Sequence, residues 1–204
     1  SILSILILGD SCASKRTQFR NAQDQKTTLR TDTSDYRSVY LLGNIGADKK
    51  GPNASLLKAF TSFQKEQAQE DDYLMILGDN VYANKLEKET NQSQLKEIIR
   101  LIENFKGKTL IIPGENDWND HGVDGLEKIE DFIEKEMGKD NHFQPENGCP
   151  IEQITVDDEN EIIIVDSQWY IEDWSKDAGF NDKCNIKTRE QFITVLKDET
   201  RKVR

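Results

Sequence analysis

The sequence predicts an α/β fold on a parallel sheet, and three observations carry that expectation. Three short apolar runs, in SVYLLGNIG (38–46), DYLMILGDNVY (72–82) and KTLIIPGENDW (108–118), are too short for helices and each stops at a glycine. Stretches with apolar residues at helical spacing follow each of them, which gives the order β-α-β-α-β-α and implies right-handed crossovers. The pattern then changes to two strand-like runs, 152–156 and 161–168, joined by Asp157-Asp158-Glu159-Asn160, and ends in a helical stretch. The expected architecture is therefore β-α-β-α-β-α, a β-hairpin and a terminal helix.

Taken in order, residues 1–8 (SILSILIL) are apolar, and Cys12 follows shortly. A short apolar segment with a Cys just behind it is the pattern of a bacterial lipoprotein signal, with Cys12 lipidated. The competing reading is a first buried strand ending at Gly9-Asp10. The long polar tract that follows, with no amphipathic helix in it, favours the signal. Residues 15–37 have no apolar periodicity and are expected to form a flexible tether. On this reading residues 1–37 are leader and tether, and the globular domain is 38–204. The expected location is a bacterial cell envelope, periplasm or outer-membrane surface, reached by a lipid anchor only.

Within the domain, Gly51-Pro52-Asn53 marks a turn, and Leu56, Leu57, Phe60 and Phe63 give 53–69 one apolar stripe. Leu95, Ile98, Ile99, Ile102 and Phe105 mark a second helix, closed by Gly107. Val123, Leu126, Ile129, Phe132, Ile133 and Met137 mark a third, closed by Gly138. Residues 181–185 read as a loop and 186–203 as a last helix of weak amphipathicity. Its 204 residues suffice for one sizeable core. A net charge of −11 makes a nucleic-acid backbone an unfavourable partner.

Chemistry concentrates where the three strands end. In open α/β sheets ligands bind just beyond the carboxyl ends of strands. Gly43-Asn44, Gly78-Asp79 and Gly114-Glu115-Asn116-Asp117 are placed to converge there, with the Tyr82 phenol nearby. Carboxylate, amide and phenolate oxygens suit hard or borderline divalent and trivalent metals. Two such ions a few ångströms apart clamp the attacking and leaving oxygens of a phosphoryl displacement. Taken singly, each residue has a plainer reading: Asp79 as a helix cap, Tyr82 as an aromatic over the sheet edge, Asn44 as a turn residue. Trp118, Trp169 and Trp174 read as packing anchors.

LMILGDNVY and LIIPGENDW resemble two metal-binding blocks of the calcineurin-like metallophosphoesterases of the purple-acid-phosphatase-like style, and YLLGNIG resembles the first block. GCPIE (148–152), IIIVDSQWYIEDW (162–174) and NDKCNIKTR (181–189) resemble the exported bacterial members. The resemblance implies a two-sheet sandwich around two metal ions of the Fe, Mn or Zn class and a phosphate-ester substrate. By the same resemblance Asp79 matches the bridging carboxylate and Tyr82 the phenolate. Asn44 stands where an Asp ligand is expected, Glu115 at an Asn ligand, and Asn116 at the catalytic His beside the leaving group. Asn80, next to Asp79, is read as substrate-binding. The downstream histidine blocks are absent, and His121 and His142 lie in other contexts.

Two explanations stand side by side: an N-terminal part of a longer enzyme whose C-terminal continuation carries the remaining His ligands, or a degenerate relative serving as a binding or structural domain. With Cys12 lipidated, Cys149 and Cys184 remain, both in polar loops. They form either a disulfide tying the hairpin to the last loop, outside the cytoplasm, or two unpaired thiols.

Overall fold

The computed structural model describes residues 4–8, 37–43, 45, 54–81, 89–118, 122–138, 141–172 and 183–202. Strands β1 (Ser4–Leu8), β2 (Ser38–Gly43), β3 (Tyr73–Leu77) and β4 (Lys108–Ile112) lie side by side in that order, all parallel. Val39 stands opposite Tyr73, and Tyr73 opposite Lys108, so the strand starts are level.

An order that never reverses has a consequence for layering. Right-handed crossovers that all step the same way bring their helices to one face of the sheet. The packing agrees. Leu42, Leu74, Ile76 and Ile111 point to a core filled by Phe60 of α1 (Ala54–Gln67), Leu95, Ile98 and Ile102 of α2 (Glu89–Glu103), and Leu126, Ile129 and Ile133 of α4 (Val123–Met137). The alternate residues of the same strands face the other way, as the period of two requires. There Val39, Leu41, Tyr73, Met75 and Leu110 meet Ile154, Ile162 and Ile164 of the antiparallel hairpin β5 (Ile151–Thr155) and β6 (Glu161–Val165). The result is a mixed α/β structure: helices, parallel sheet, then hairpin.

Two polar devices hold the ends of this arrangement. At the strand starts, buried Asp72 accepts from Ser38 N–H and Gln69 N–H, each at 2.8 Å, while its carbonyl accepts from Lys108 N–H at 2.8 Å. At the far side of β4, Ile111 N–H donates to His142 O at 2.6 Å and Gln144 N–H to Ile111 O at 2.8 Å. Residues 142–144 thus continue the sheet beyond β4, with Phe143 buried as the anchor.

The structure departs from the sequence reading in several places. Ser4–Leu8 is a strand in register with β2, Leu6 opposite Tyr40, and not a segment separate from the domain. SILIL has the length and composition of a sheet strand, and pairing with β2 satisfies its backbone groups on that side. Cys12 and residues 9–36 lie outside the described residues. The second strand of the hairpin ends at Val165 and does not reach Gln168. Asp166 Oδ1 accepts from Gln168 N–H at 3.0 Å and Trp169 N–H at 3.3 Å, which turns the chain into the short helix α5 (Ser167–Ile171). ENDW, expected as loop, is the helical turn α3 (Glu115–Trp118).

The last helix, α6 (Arg189–Lys202), begins three residues later than Ile186. Thr188 Oγ1 accepts from Gln191 N–H at 3.1 Å, and Gln191 Oε1 accepts from Thr188 N–H at 3.0 Å, a reciprocal cap that fixes the start. Phe192 then stacks on Trp169 with 5.7 Å between ring centroids. Cys149 and Cys184 are joined in a disulfide, with Cα atoms 5.4 Å apart. Among the described residues no helix is long and apolar enough to cross a membrane.

Candidate functional site at the carboxyl ends of β3 and β4

Two loops leave the sheet side by side, Gly78–Val81 after β3 and Pro113–Trp118 after β4. They touch through glycine. A Cβ on Gly114 would lie 2.4 Å from Asp79 N, and one on Gly78 would lie 2.8 Å from Gly114 Cα. Gly78 also has a φ of +67°, and Gly78 N–H donates to Ile112 O at 2.9 Å. Only residues without side chains let the two backbones approach this closely.

The side chain that locks the loops together is Asp117, 1 % exposed. Its Oδ2 accepts from Gly114 N–H at 2.8 Å and from Asn80 Nδ2 at 2.9 Å. Its Oδ1 accepts from Asn80 N–H at 3.0 Å and Val81 N–H at 3.1 Å. Burial pushes this carboxyl up to about 7, against the opposing pull of the Gly114, Asn80 and Val81 N–H groups. Hydrogen bonds to a charged group are worth about 1.5–3 kcal/mol each. Asp117 is thus the strongest single constraint on the loop pair.

Asp79 is held by this frame in a left-handed conformation, φ +53°. That conformation costs an L-residue about 1–2 kcal/mol. Its Oδ1 accepts from Asn116 N–H at 3.0 Å. Its Oδ2 has no hydrogen-bond partner among the described residues. Asn80 is fully buried; Nδ2 also donates to Ile112 O at 2.9 Å, while Oδ1 has no donor among the described residues. Glu115 is exposed and Asn116 half-buried on the first turn of α3. Below them Trp118 Nε1 donates to Asp166 Oδ2 at 2.8 Å, which ties the loop pair to the start of α5. Burial lifts Asp166 to about 6, against the bonds from Trp118, Trp169 and Gln168.

The structure thus brings together Asp79, Asn80, Glu115 and Asn116. Asn44 and Tyr82 lie outside the described residues, as does His121. His142 belongs to the far edge of the sheet, where Nδ1 lies 2.9 Å from Thr109 Oγ1 and 3.1 Å from Thr109 O. Among the described residues no group of three His, Cys, Asp or Glu side chains is placed to hold a metal ion. The sequence reading placed Asp117 among the residues converging at the strand ends and gave it no role of its own. The signal that identifies it is spacing: Gly114-x-x-Asp117 puts an acid at the third helical position, from which it reaches back to the N–H of the capping residue. The chain matches no family model, no curated protein and no solved structure.

Proposed function

We propose that the loop pair is the metal-assisted phosphoester-hydrolysing centre of a metallophosphoesterase-like sandwich, weakened in its metal ligands. One observation carries this reading. Asp79 is presented at the carboxyl end of β3, in a strained conformation, with one carboxylate oxygen aligned by Asn116 N–H and the other without a hydrogen-bond partner among the described residues. Strain concentrated on a polar residue at a strand end is characteristic of functional positions.

The described residues fit one hard cation in part. The Asp117 carboxylate is taken up by N–H groups of the chain, so Asp79 and Glu115 are the carboxylates on these loops that would hold it, and a second ion would depend on Asn44 and Tyr82. Such an ion supplies Lewis-acid polarisation of a phosphoryl oxygen. The chain's own contribution is positional. Asn116 N–H fixes the carboxylate of Asp79, and Asp117 fixes both loops. The Asn116 side chain donates a hydrogen bond to a leaving oxygen but cannot transfer a proton to it. General acid catalysis is commonly worth about 10²–10⁴-fold, so leaving groups that need protonation suffer by roughly that factor.

A second reading, a non-catalytic binding or structural module, is favoured by a specific observation: the most buried carboxylate of the site, Asp117, is wholly committed to the protein's own N–H groups. Calorimetric titration with Mn²⁺ and Zn²⁺, together with steady-state assays on an aryl and an alkyl phosphate, separates the two. The phosphoesterase reading expects binding that Asp79→Asn abolishes, and aryl-phosphate turnover exceeding alkyl-phosphate turnover by about 10²-fold or more. Absence of both binding and turnover overturns the phosphoesterase reading of these loops.

A further inference from the structure

At the opposite ends of the same strands the sheet and the hairpin part, leaving a groove of about 640 Å³, within the size range of ligand sites. One wall is the start of β4 with residues 142 and 144, and the other is β5 from Glu152 to Thr155; Leu110 and Ile154 supply apolar surface. Among the described residues the β5 wall has an unpaired edge. The hairpin ladder is flanked by Val156 N–H to Asn160 O and Asp166 N–H to Pro150 O, so residues 152 and 154 exchange bonds with 164 and 162. Residues 151, 153 and 155 therefore turn their N–H and C=O groups away from β6. Among the described residues the only bond recorded there is local, from Gln153 N–H to Glu152 Oε1 at 3.2 Å.

The two ends of the groove carry opposite charge. Arg37 pairs with Asp157, which places the hairpin turn at the amino ends of the parallel strands, so Thr155 lies at the Lys108 end and Glu152 farther up. Lys108 Nζ donates to the Tyr73 hydroxyl at 3.1 Å and stands 5.2 Å from the Tyr73 ring centroid. It has no carboxylate partner among the described residues. At the other end are the carboxylates of Glu146 and Glu152, with Gln144 Oε1 buried and lacking a donor among the described residues. Three residues of β5 separate the ends, roughly 10 Å at 3.3 Å per residue.

We propose that this groove binds a short peptide with free termini, about three residues long, as an added strand on the open edge of β5. An extended tripeptide spans roughly 10 Å. Its carboxylate lies at Lys108 and Tyr73, and its ammonium at Glu146 and Glu152 with Gln144 Oε1 as a further acceptor. The chain direction is then parallel to β5. Main-chain bonds to residues 153 and 155 supply affinity that is tolerant of side-chain identity, and the two charged ends select length. The groove is separate from the Asp79 loops, so the inference does not depend on phosphoester chemistry.

The test is isothermal titration of the full chain with Ala-Val-Ala carrying free termini, with its N-acetylated and C-amidated forms, and with free valine. The free tripeptide is expected to bind, each blocked form about tenfold or more weaker, and valine weaker still. Lys108→Met should weaken the free tripeptide by a similar factor and leave the C-amidated form unchanged. Thr155→Pro removes an edge N–H but no ladder bond, and should weaken every peptide while circular dichroism stays that of the parent. The proposal is overturned by absence of heat at millimolar tripeptide, by equal affinity for free and blocked peptides, by valine matching the tripeptide, or by indifference to both substitutions.

Discussion

β3 and β4 are five residues long, and Asp117 beyond one end and Lys108 at the other meet their polar partners in opposite ways. At the carboxyl end Asp117 is buried and takes four N–H groups from three residues, so its capacity is filled from within the chain. At the amino end Lys108 is exposed, answered by one phenol, and the facing edge of β5 keeps its backbone groups turned outward. The first arrangement yields rigidity: two loops at fixed spacing, one residue of each without a side chain. The second yields capacity for something that is not part of the chain. A polar cluster alone does not mark a binding place; what matters is whether its hydrogen bonds are already made.

The sharpest way to break this contrast is to remove the filled carboxylate. Asp117→Ala leaves buried N–H groups of Asn80, Val81 and Gly114 without an acceptor, each a penalty of about 1–3 kcal/mol that does not sum fully. We expect a loss of roughly 3–5 kcal/mol in urea unfolding, near the upper end for single substitutions. Lys108→Ala at the opposite end should stay within about 0.5 kcal/mol. Similar losses for the two variants would show that the ends do not differ as described.

Next in size is the glycine contact. Gly114→Ala drives a methyl to within 2.4 Å of Asp79 N, a backbone atom that cannot rotate away. The loops must separate, at about 2–3 kcal/mol, and Asp79 should lose its bond from Asn116 N–H. Unfolding midpoints and the backbone amide shift of Asn116 report the two effects together. A stable variant with an unmoved amide would mean that the spacing is not set by these glycines.

Much of this frame was legible in the sequence. Runs such as YLMIL and KTLII have the length and bulk of buried strands, and the helical stripes between them allow only parallel crossovers. The hairpin was legible too, because DDEN separates two β-rich runs. What escaped was carried by single side chains acting on backbone. Asp166 ends β6 by capping α5, Thr188 and Gln191 start α6, and Asp117 closes α3 on itself while reaching across to Asn80. Composition shows these residues as polarity between elements, and only their spacing to the next helix distinguishes a cap from a loop. SILIL was ambiguous for a different reason: five apolar residues suit a strand and a leader segment equally until a partner strand is seen. The open edge of β5 has no signature at all in one chain, since it depends on what fails to pair.

The smallest expected effect compares two carboxylates that burial lifts to the same value in different surroundings. Asp117 and Glu130 are each lifted to about 7 by burial. Asp117 is opposed by several N–H donors, whereas Glu130, on α4 near the upper end of the groove, has the Asn147 N–H and is raised further by Glu134, Glu146 and Glu127. An unperturbed glutamate titrates at 4.5, so between 4.5 and about 7 the folded chain holds a proton at Glu130 that the unfolded chain has released. The stability linked to that proton is present in full below 4.5 and is lost as pH rises through the folded value. Glu130→Gln keeps an oxygen for Asn147 N–H and carries no charge at any pH. Its stability relative to the parent should therefore improve from pH 5 to pH 8 by roughly 1 kcal/mol, about 2–4 °C in Tm for a chain of this size. That figure is the full linkage of about 2.5 kcal/mol reduced for solvent screening of a partly solvated carboxyl. Thermal unfolding of both proteins at the two pH values measures it. An equal Tm difference at pH 5 and pH 8 would show that Glu130 keeps an ordinary carboxyl and that its crowding by Glu134, Glu146 and Glu127 is relieved by solvent.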